Sequence, residues 1–86
     1  MAFKIWYVYI VKCKDSTLYT GITTDPDRRI LEHNTSNKGA KYTKTRRPVK
    51  LVYFEVFENR SLASKREYEI KKMSRKEKLE LIKKVI

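Results

Sequence analysis

The chain has 86 residues and a formal net charge of +11, a length that accommodates one domain (1–86) and argues against two. With 41% apolar and 12% aromatic residues it can build a small core, which excludes pervasive disorder. One cysteine, Cys13, excludes a disulfide framework and a multi-thiolate zinc site, and no apolar run approaches the roughly 20 residues that span a bilayer.

Residues 5–11, Ile-Trp-Tyr-Val-Tyr-Ile-Val, are β-branched or aromatic throughout and predict a strand covered on both faces. After a break at residues 13–16, residues 17–23 predict a second strand, and the short gap predicts a hairpin. Asp25 followed by Pro26 is a helix start, and the helix runs to about Asn34, where Asn-Thr-Ser-Asn (34–37) ends it. A basic loop follows, bounded by Pro48, and residues 50–57 form a third strand. Ser61 is a candidate cap for a helix carrying Leu62, Ala63, Arg66, Glu67 and Ile70, with Met73 at its end. Ser74 and Glu77 fit a capping box and start a last helix holding Leu79, Ile82 and Ile86. The expected fold is α/β in the broad sense (α+β): one small three-stranded sheet with an N-terminal β-hairpin, flanked by about three helices. Trp6, Val8, Ile10, Val52, Phe54 and Ile70 are its expected core.

The charge is uneven. Residues 38–50 carry Lys38, Lys41, Lys44, Arg46, Arg47 and Lys50 with no acid, interleaved with Tyr42 and threonine hydroxyls. Such a stretch suits a phosphate backbone, where each neutralised phosphate releases counterions; a solvated loop that keeps the protein soluble is the plain alternative. The N-terminus Met1-Ala2-Phe3-Lys4 carries no secretory apolar region, so a soluble, cytoplasmic protein without a membrane role is expected.

The hairpin decides which tyrosines meet. A three-residue loop, 14–16, sets Val11 opposite Tyr19 and Tyr9 opposite Gly21, which makes Tyr9 and Tyr19 diagonal neighbours on one face. A two-residue loop would put them on opposite faces. The longer loop is expected, because Asp15-Ser16 lacks the glycine or asparagine of tight hairpin turns. Gly21 inside the strand leaves room for another group to approach.

The ordered set Tyr7-Val8-Tyr9, Tyr19-Thr20-Gly21, Asp25 to Asn34 with Arg29 and His33, and Arg66-Glu67 resembles the GIY-YIG nuclease domain over residues 5–80, and most closely its small stand-alone members. The resemblance implies a metal-dependent endonuclease on DNA, in repair or recombination, with Tyr9 and Tyr19 as the two motif tyrosines. It implies Arg29 as the active-site arginine, His33 one turn later, and Glu67 as the anchor of one Mg2+ or Mn2+ ion. The sequence departs from the pattern at Tyr7 and Thr20, and no asparagine follows Asn59, where several active members supply one.

These residue types suit phosphodiester hydrolysis. Arg29 and His33, at i and i+4, project from one side of a helix. A guanidinium matches phosphate geometry and stabilises charge at the scissile oxygens. A hard cation keeps waters, so one carboxylate suffices as its protein anchor. The base is Tyr19, Tyr9 or His33. Plainer readings exist: Arg29 pairs on the surface with Glu32 or Asp25, and Glu69 rivals Glu67. The expected partner is DNA, branched or damaged, bound by Lys38, Lys41, Tyr42, Lys44, Arg46 and Arg47 without base-sequence readout. The alternative is a weakly catalytic or inactive DNA- or RNA-binding module of the same fold, or a subunit of a larger nuclease.

Overall fold

The computed structural model describes residues 4–35 and 38–84. The N-terminal residues Met1 to Phe3, the Ser36 and Asn37 part of the expected helix stop, and Ile86 of the last helix lie outside that range. In chain order the elements are β1 (Trp6–Lys12), β2 (Leu18–Thr23), α1 (Pro26–Thr35), α2 (Lys41–Lys44), β3 (Lys50–Phe57), α3 (Arg60–Lys71) and α4 (Arg75–Lys83).

The sheet order is β2-β1-β3, all antiparallel, so the most apolar strand is central and is paired on both sides. The hairpin register is the three-residue one, with Val11 opposite Tyr19 and Tyr9 opposite Gly21. Its loop closes through Cys13 N–H to the Thr17 carbonyl at 2.8 Å and Ser16 N–H to the Cys13 carbonyl at 2.9 Å. Ser16 takes the left-handed conformation (φ 69°), the position that three-residue loops require. Asp15 Oδ1 supports the turn by accepting from the Thr17 amide and hydroxyl at 3.1 and 2.6 Å.

Alternation along the strands divides the molecule into two faces. Val8, Ile10 and Tyr53 point to one side, where Ala63 and Ile70 of α3 cover them, with Trp6, Val52, Met73, Leu81 and Ile82 packed around. Tyr9, Val11, Cys13 and Val49 form a second cluster on the other side, joined by Tyr19, Ile30 of α1 and Leu51. A register shift between Ile10 and Val11 places Tyr53 and Leu51 opposite them, which leaves Val52 as the extra residue. The α3 face is therefore an ordinary apolar core, while the α1 face mixes aromatic and polar groups.

Five expectations are corrected. Phe54 is 49% exposed: it lies on the α1 face opposite Tyr9, outside the α1-side cluster, with its ring 5.9 Å from that of Tyr7. Trp6 and Val52 are half-buried at the rim of the core, not within it. The basic stretch is not all loop, since Lys41–Lys44 form the short helix α2. The cap of α3 is Asn59, not Ser61: the Asn59 side chain accepts from the Leu62 amide at 2.9 Å, which starts the helix two residues early. The Ser74–Glu77 capping box forms as expected, and Asp25 Oδ1 accepts from the Arg28 amide at 3.1 Å at the start of α1.

The segment between α2 and β3 is fastened to both neighbours. Arg46 carbonyl accepts from the Lys14 amide at 3.0 Å, and the Arg46 guanidinium meets Asp15 Oδ2 at 3.0 Å. After the cis Arg47–Pro48 bond, the Asn34 side chain donates to the Val49 carbonyl at 3.1 Å and accepts from its amide at 2.7 Å. Among the described residues no helix is long and apolar enough to cross a membrane. Asn59→Ala is expected to lower unfolding stability by ~1 kcal/mol, against less than about 0.5 kcal/mol for Ser61→Ala, as urea denaturation would measure.

Candidate active site

The site grows from the α1 face of the hairpin. Tyr9 stands opposite Gly21, and its ring lies over that glycine: a Cβ there would come within 2.5 Å of the Tyr9 hydroxyl oxygen. The missing side chain is thus what lets the ring occupy its place. Tyr9 is 1% exposed, and its hydroxyl lies 2.8 Å from Nε2 of His33, which is fully buried on α1. The other ring nitrogen, Nδ1, lies 2.8 Å from Oγ1 of the equally buried Thr43 on α2. Thr43 Oγ1 in turn reaches the Ala40 carbonyl at 2.9 Å.

Tyr19, half-buried, closes the aromatic group. Its ring centroid is 6.5 Å from that of Tyr9 and 5.5 Å from that of His33, and it stacks on Tyr42 at 5.9 Å and 23°. Arg29, one turn before His33 on α1, donates to Glu32 Oε1 at 3.0 Å and to the Lys38 carbonyl at 2.7 Å. Its charge also acts on the Tyr9 hydroxyl. The surface pairing with Glu32 and the approach to Tyr9 therefore coexist. Glu67, on α3, bonds to Lys71 Nζ at 3.3 Å, and its charge reaches Tyr9. Its rival Glu69 is turned to Arg66 at 3.2 Å, and the Glu69 side chain is half exposed. The structure thus brings Tyr9, Tyr19, Arg29 and His33 into one group, with Glu67 within electrostatic reach of it.

Burial decides the protonation of the two inner groups. It pushes the Tyr9 phenol up to about 12; Arg29 opposes the rise, while Tyr19 and Glu67 add to it. Burial likewise lowers His33 to about 4, helped by the Arg29 and Arg47 cations and opposed by Glu32. At neutral pH the core of the site is a neutral phenol bonded to a neutral imidazole. For Arg29, burial works against the charge, but Glu32 and Tyr9 hold the guanidinium above its ordinary value.

The basic stretch divides by role. Lys38, Lys41, Tyr42 and Lys44 are exposed around α2. Arg46 lies over the Tyr42 ring at 3.9 Å, donates to the Tyr42 carbonyl at 2.8 Å and pairs with Asp15. Arg47 Nε donates to the His33 carbonyl. Lys41 and Lys44 take part in none of the described ion pairs, whereas Arg46 and Arg47 fasten the α2 segment to the hairpin and to α1.

Thr43 is the member of the group that pattern reading passes over. A threonine in a basic loop carries no periodic signal, and its link to His33 exists only once α2 turns it inward. Glu32, which positions Arg29, was visible only as a surface partner.

No cluster of three His, Cys, Asp or Glu able to hold a metal occurs among the described residues. Glu67 by itself fits a hard divalent cation that keeps its waters: the carboxylate side chain is 22% exposed and, among the described ion pairs, is shared with a half-exposed lysine one turn on. A partly exposed i,i+4 pair of that kind contributes about 0.3–0.5 kcal/mol and yields readily to a cation.

The depressed histidine has a consequence for stability. In the unfolded chain the imidazole binds its proton near pH 6.5, but in the folded one only near 4. Stability is therefore complete above about pH 6.5 and falls as pH drops toward 4, because the unfolded state takes up the proton first. The expected loss is on the order of 3 kcal/mol, read as the difference in urea midpoint between pH 7 and 4 relative to His33→Gln, in which this dependence is absent.

Comparison with known proteins accords with this geometry. Residues 5–80 match the GIY-YIG catalytic domain. A UPF0213 protein of Staphylococcus haemolyticus is 64% identical over 76 residues, covering 88% of this chain and 92% of the relative. One of Desulfotalea psychrophila is 63% identical over 78 residues, covering 91% and 71%. The solution NMR structure of a UPF0213 protein from Bacillus halodurans shares 49% identity and a TM-score of 0.59 over 92% of this chain and 83% of that one. That of a protein from E. faecalis shares 45% identity and a TM-score of 0.65 over 95% and 86%. The matched span includes the hairpin with its tyrosines and the arginine and histidine of the next helix, and the chain belongs to the GIY-YIG family of nuclease-type domains.

Proposed function

We propose that this chain, as one domain, is a divalent-metal-dependent endonuclease that hydrolyses phosphodiester bonds in DNA, branched or damaged structures included, and serves repair or recombination. The observation that carries this reading is the convergence of Tyr9, Tyr19, His33 and Arg29 on one face of the sheet, beside the exposed lysines of α2.

Arg29 is suited to hold the scissile phosphate. It is already committed to the Lys38 carbonyl and Glu32, so its fork is oriented before substrate arrives. A Mg2+ or Mn2+ ion held by Glu67 would supply Lewis-acid stabilisation of the leaving 3′ oxygen. Of the two tyrosines, Tyr19 is the one proposed to orient the attacking water, since it is half-exposed while Tyr9 is buried and held protonated. Tyr9 and His33 then form the fixed floor against which Tyr19 and Arg29 are placed. Lys38, Lys41 and Lys44 would track the backbone electrostatically, without reading bases.

The test is an assay of nicking on supercoiled plasmid and on branched DNA with Mg2+, Mn2+ or chelator. Glu67→Ala and Arg29→Ala are each expected to reduce nicking by about 100-fold or more while DNA binding persists. Binding with no metal-dependent nicking by the unaltered chain would instead favour a nucleic-acid-binding module, and competition between DNA and RNA of equal length would name its ligand. Lys41→Ala and Lys44→Ala are each expected to weaken binding on all sequences alike and to reduce the salt slope by about 0.9, measured across a salt titration.

A further inference from the structure

The hydrogen-bond chain through His33 has a direction. Thr43 carries one hydroxyl proton and has two acceptors in reach, His33 Nδ1 at 2.8 Å and the Ala40 carbonyl at 2.9 Å. If that proton goes to the imidazole, Nδ1 is the bare nitrogen and Nε2 carries the ring proton. If it goes to the carbonyl, Thr43 Oγ1 accepts from Nδ1–H, and Nε2 is left with its lone pair facing Tyr9.

One contact favours the first arrangement: the Ala40 amide, which can only donate, points at Nδ1 from 3.4 Å. That is the longest bond of the set. A stronger constraint acts at the other end. The Tyr9 hydroxyl is buried, its hydrogen-bond partner among the described residues is His33 Nε2 at 2.8 Å, and the Arg29 cation acts on the same oxygen. A protonated Nε2 would donate to the phenol oxygen and leave the phenol proton with no acceptor among the described hydrogen bonds. The second arrangement satisfies every group of the chain but the Ala40 amide: Tyr9 donates to Nε2, Nδ1–H donates to Thr43, and Thr43 donates to the carbonyl.

We propose that Thr43 is a positioning residue for His33: its Oγ1 accepts a hydrogen bond from Nδ1–H, its hydroxyl donates to the Ala40 carbonyl, and so it keeps the Nε2 lone pair on the Tyr9 hydroxyl. The kinetic part of this inference rests on the nuclease reading, and the tautomer part stands without it. Isosteric Thr43→Val removes the acceptor and leaves the Ala40 amide as the only partner of Nδ1, which turns the ring to the opposite tautomer. Thr43→Ser keeps the acceptor.

His33 is the only histidine in the chain, so one ring gives the whole signal. At pH 7.5, 15N–1H correlation of the ring is expected to show Nδ1 protonated and Nε2 bare in the unaltered protein and in Thr43→Ser, and the reverse in Thr43→Val. If the chain nicks DNA, Thr43→Val is expected to lower kcat by about tenfold with KM unchanged, and Thr43→Ser to stay within about twofold of the unaltered chain. A protonated Nε2 in the unaltered protein overturns the proposal, even if Thr43→Val does not fold. So does an unchanged tautomer in a folded Thr43→Val. Absence of nicking by the unaltered chain overturns the nuclease reading alone, since the ring signal is read in the free protein.

Discussion

The buried chain of bonds from Tyr9 through His33 to Thr43 is the constraint around which the α1 face is organised. It ties the central strand β1 to α1 and α1 to α2, and each of its three side chains is at most 1% exposed. Burying a phenol, an imidazole and a hydroxyl is unfavourable unless each finds a partner, and a partner lost inside leaves the other stranded. The geometry of the three elements is therefore fixed more tightly than apolar contact alone would fix it. Gly21 belongs to the same constraint, since any side chain there would occupy the space of the Tyr9 hydroxyl.

The two faces of the sheet divide the labour. On the α3 side, Val8, Ile10, Ala63 and Ile70 make a closed apolar core that does not depend on hydrogen bonding. Even the charged cluster there is inward-looking: Glu55 takes the Arg66 guanidinium at 2.9 and 3.0 Å and accepts from the Tyr53 hydroxyl. On the α1 side the apolar cluster is smaller, and the remaining surface goes to aromatic rings and cations. One face keeps the hairpin folded so that the other can hold functional groups at fixed distances.

A chain of net charge +11 nevertheless keeps its one histidine neutral, and the cations are part of the reason. Arg29 and Arg47 add their repulsion to the cost of burial, and Glu32 only partly offsets them. The same arginines serve as fasteners, Arg29 to the Lys38 carbonyl and Arg47 to the His33 carbonyl. Charge that reads along the sequence as a single basic patch is thus divided in space. Lys41 and Lys44 remain exposed, while the nearby arginines are spent on local structure.

Much of this was determined by local sequence. The three-residue hairpin loop, its register, the pairing of Tyr9 with Gly21, the Asp25 and Ser74 helix starts and the bounds of β3 all follow from short-range rules, because turn length sets register and register sets which side chains share a face. Arg29 and His33 were legible for the same reason, one helical turn apart. Phe54 was misplaced because a strand's alternation tells which residues share a face but not how far the covering helices extend. Asn59 outcompeted Ser61 because either residue type can cap, and only the chain's path out of β3 selects between them. Thr43, the inward turn of α2 and the neutral state of His33 were decided by tertiary structure alone. They depend on groups as far apart in sequence as Tyr9 and Thr43 being buried together, and burial is a property of the assembled fold rather than of any segment.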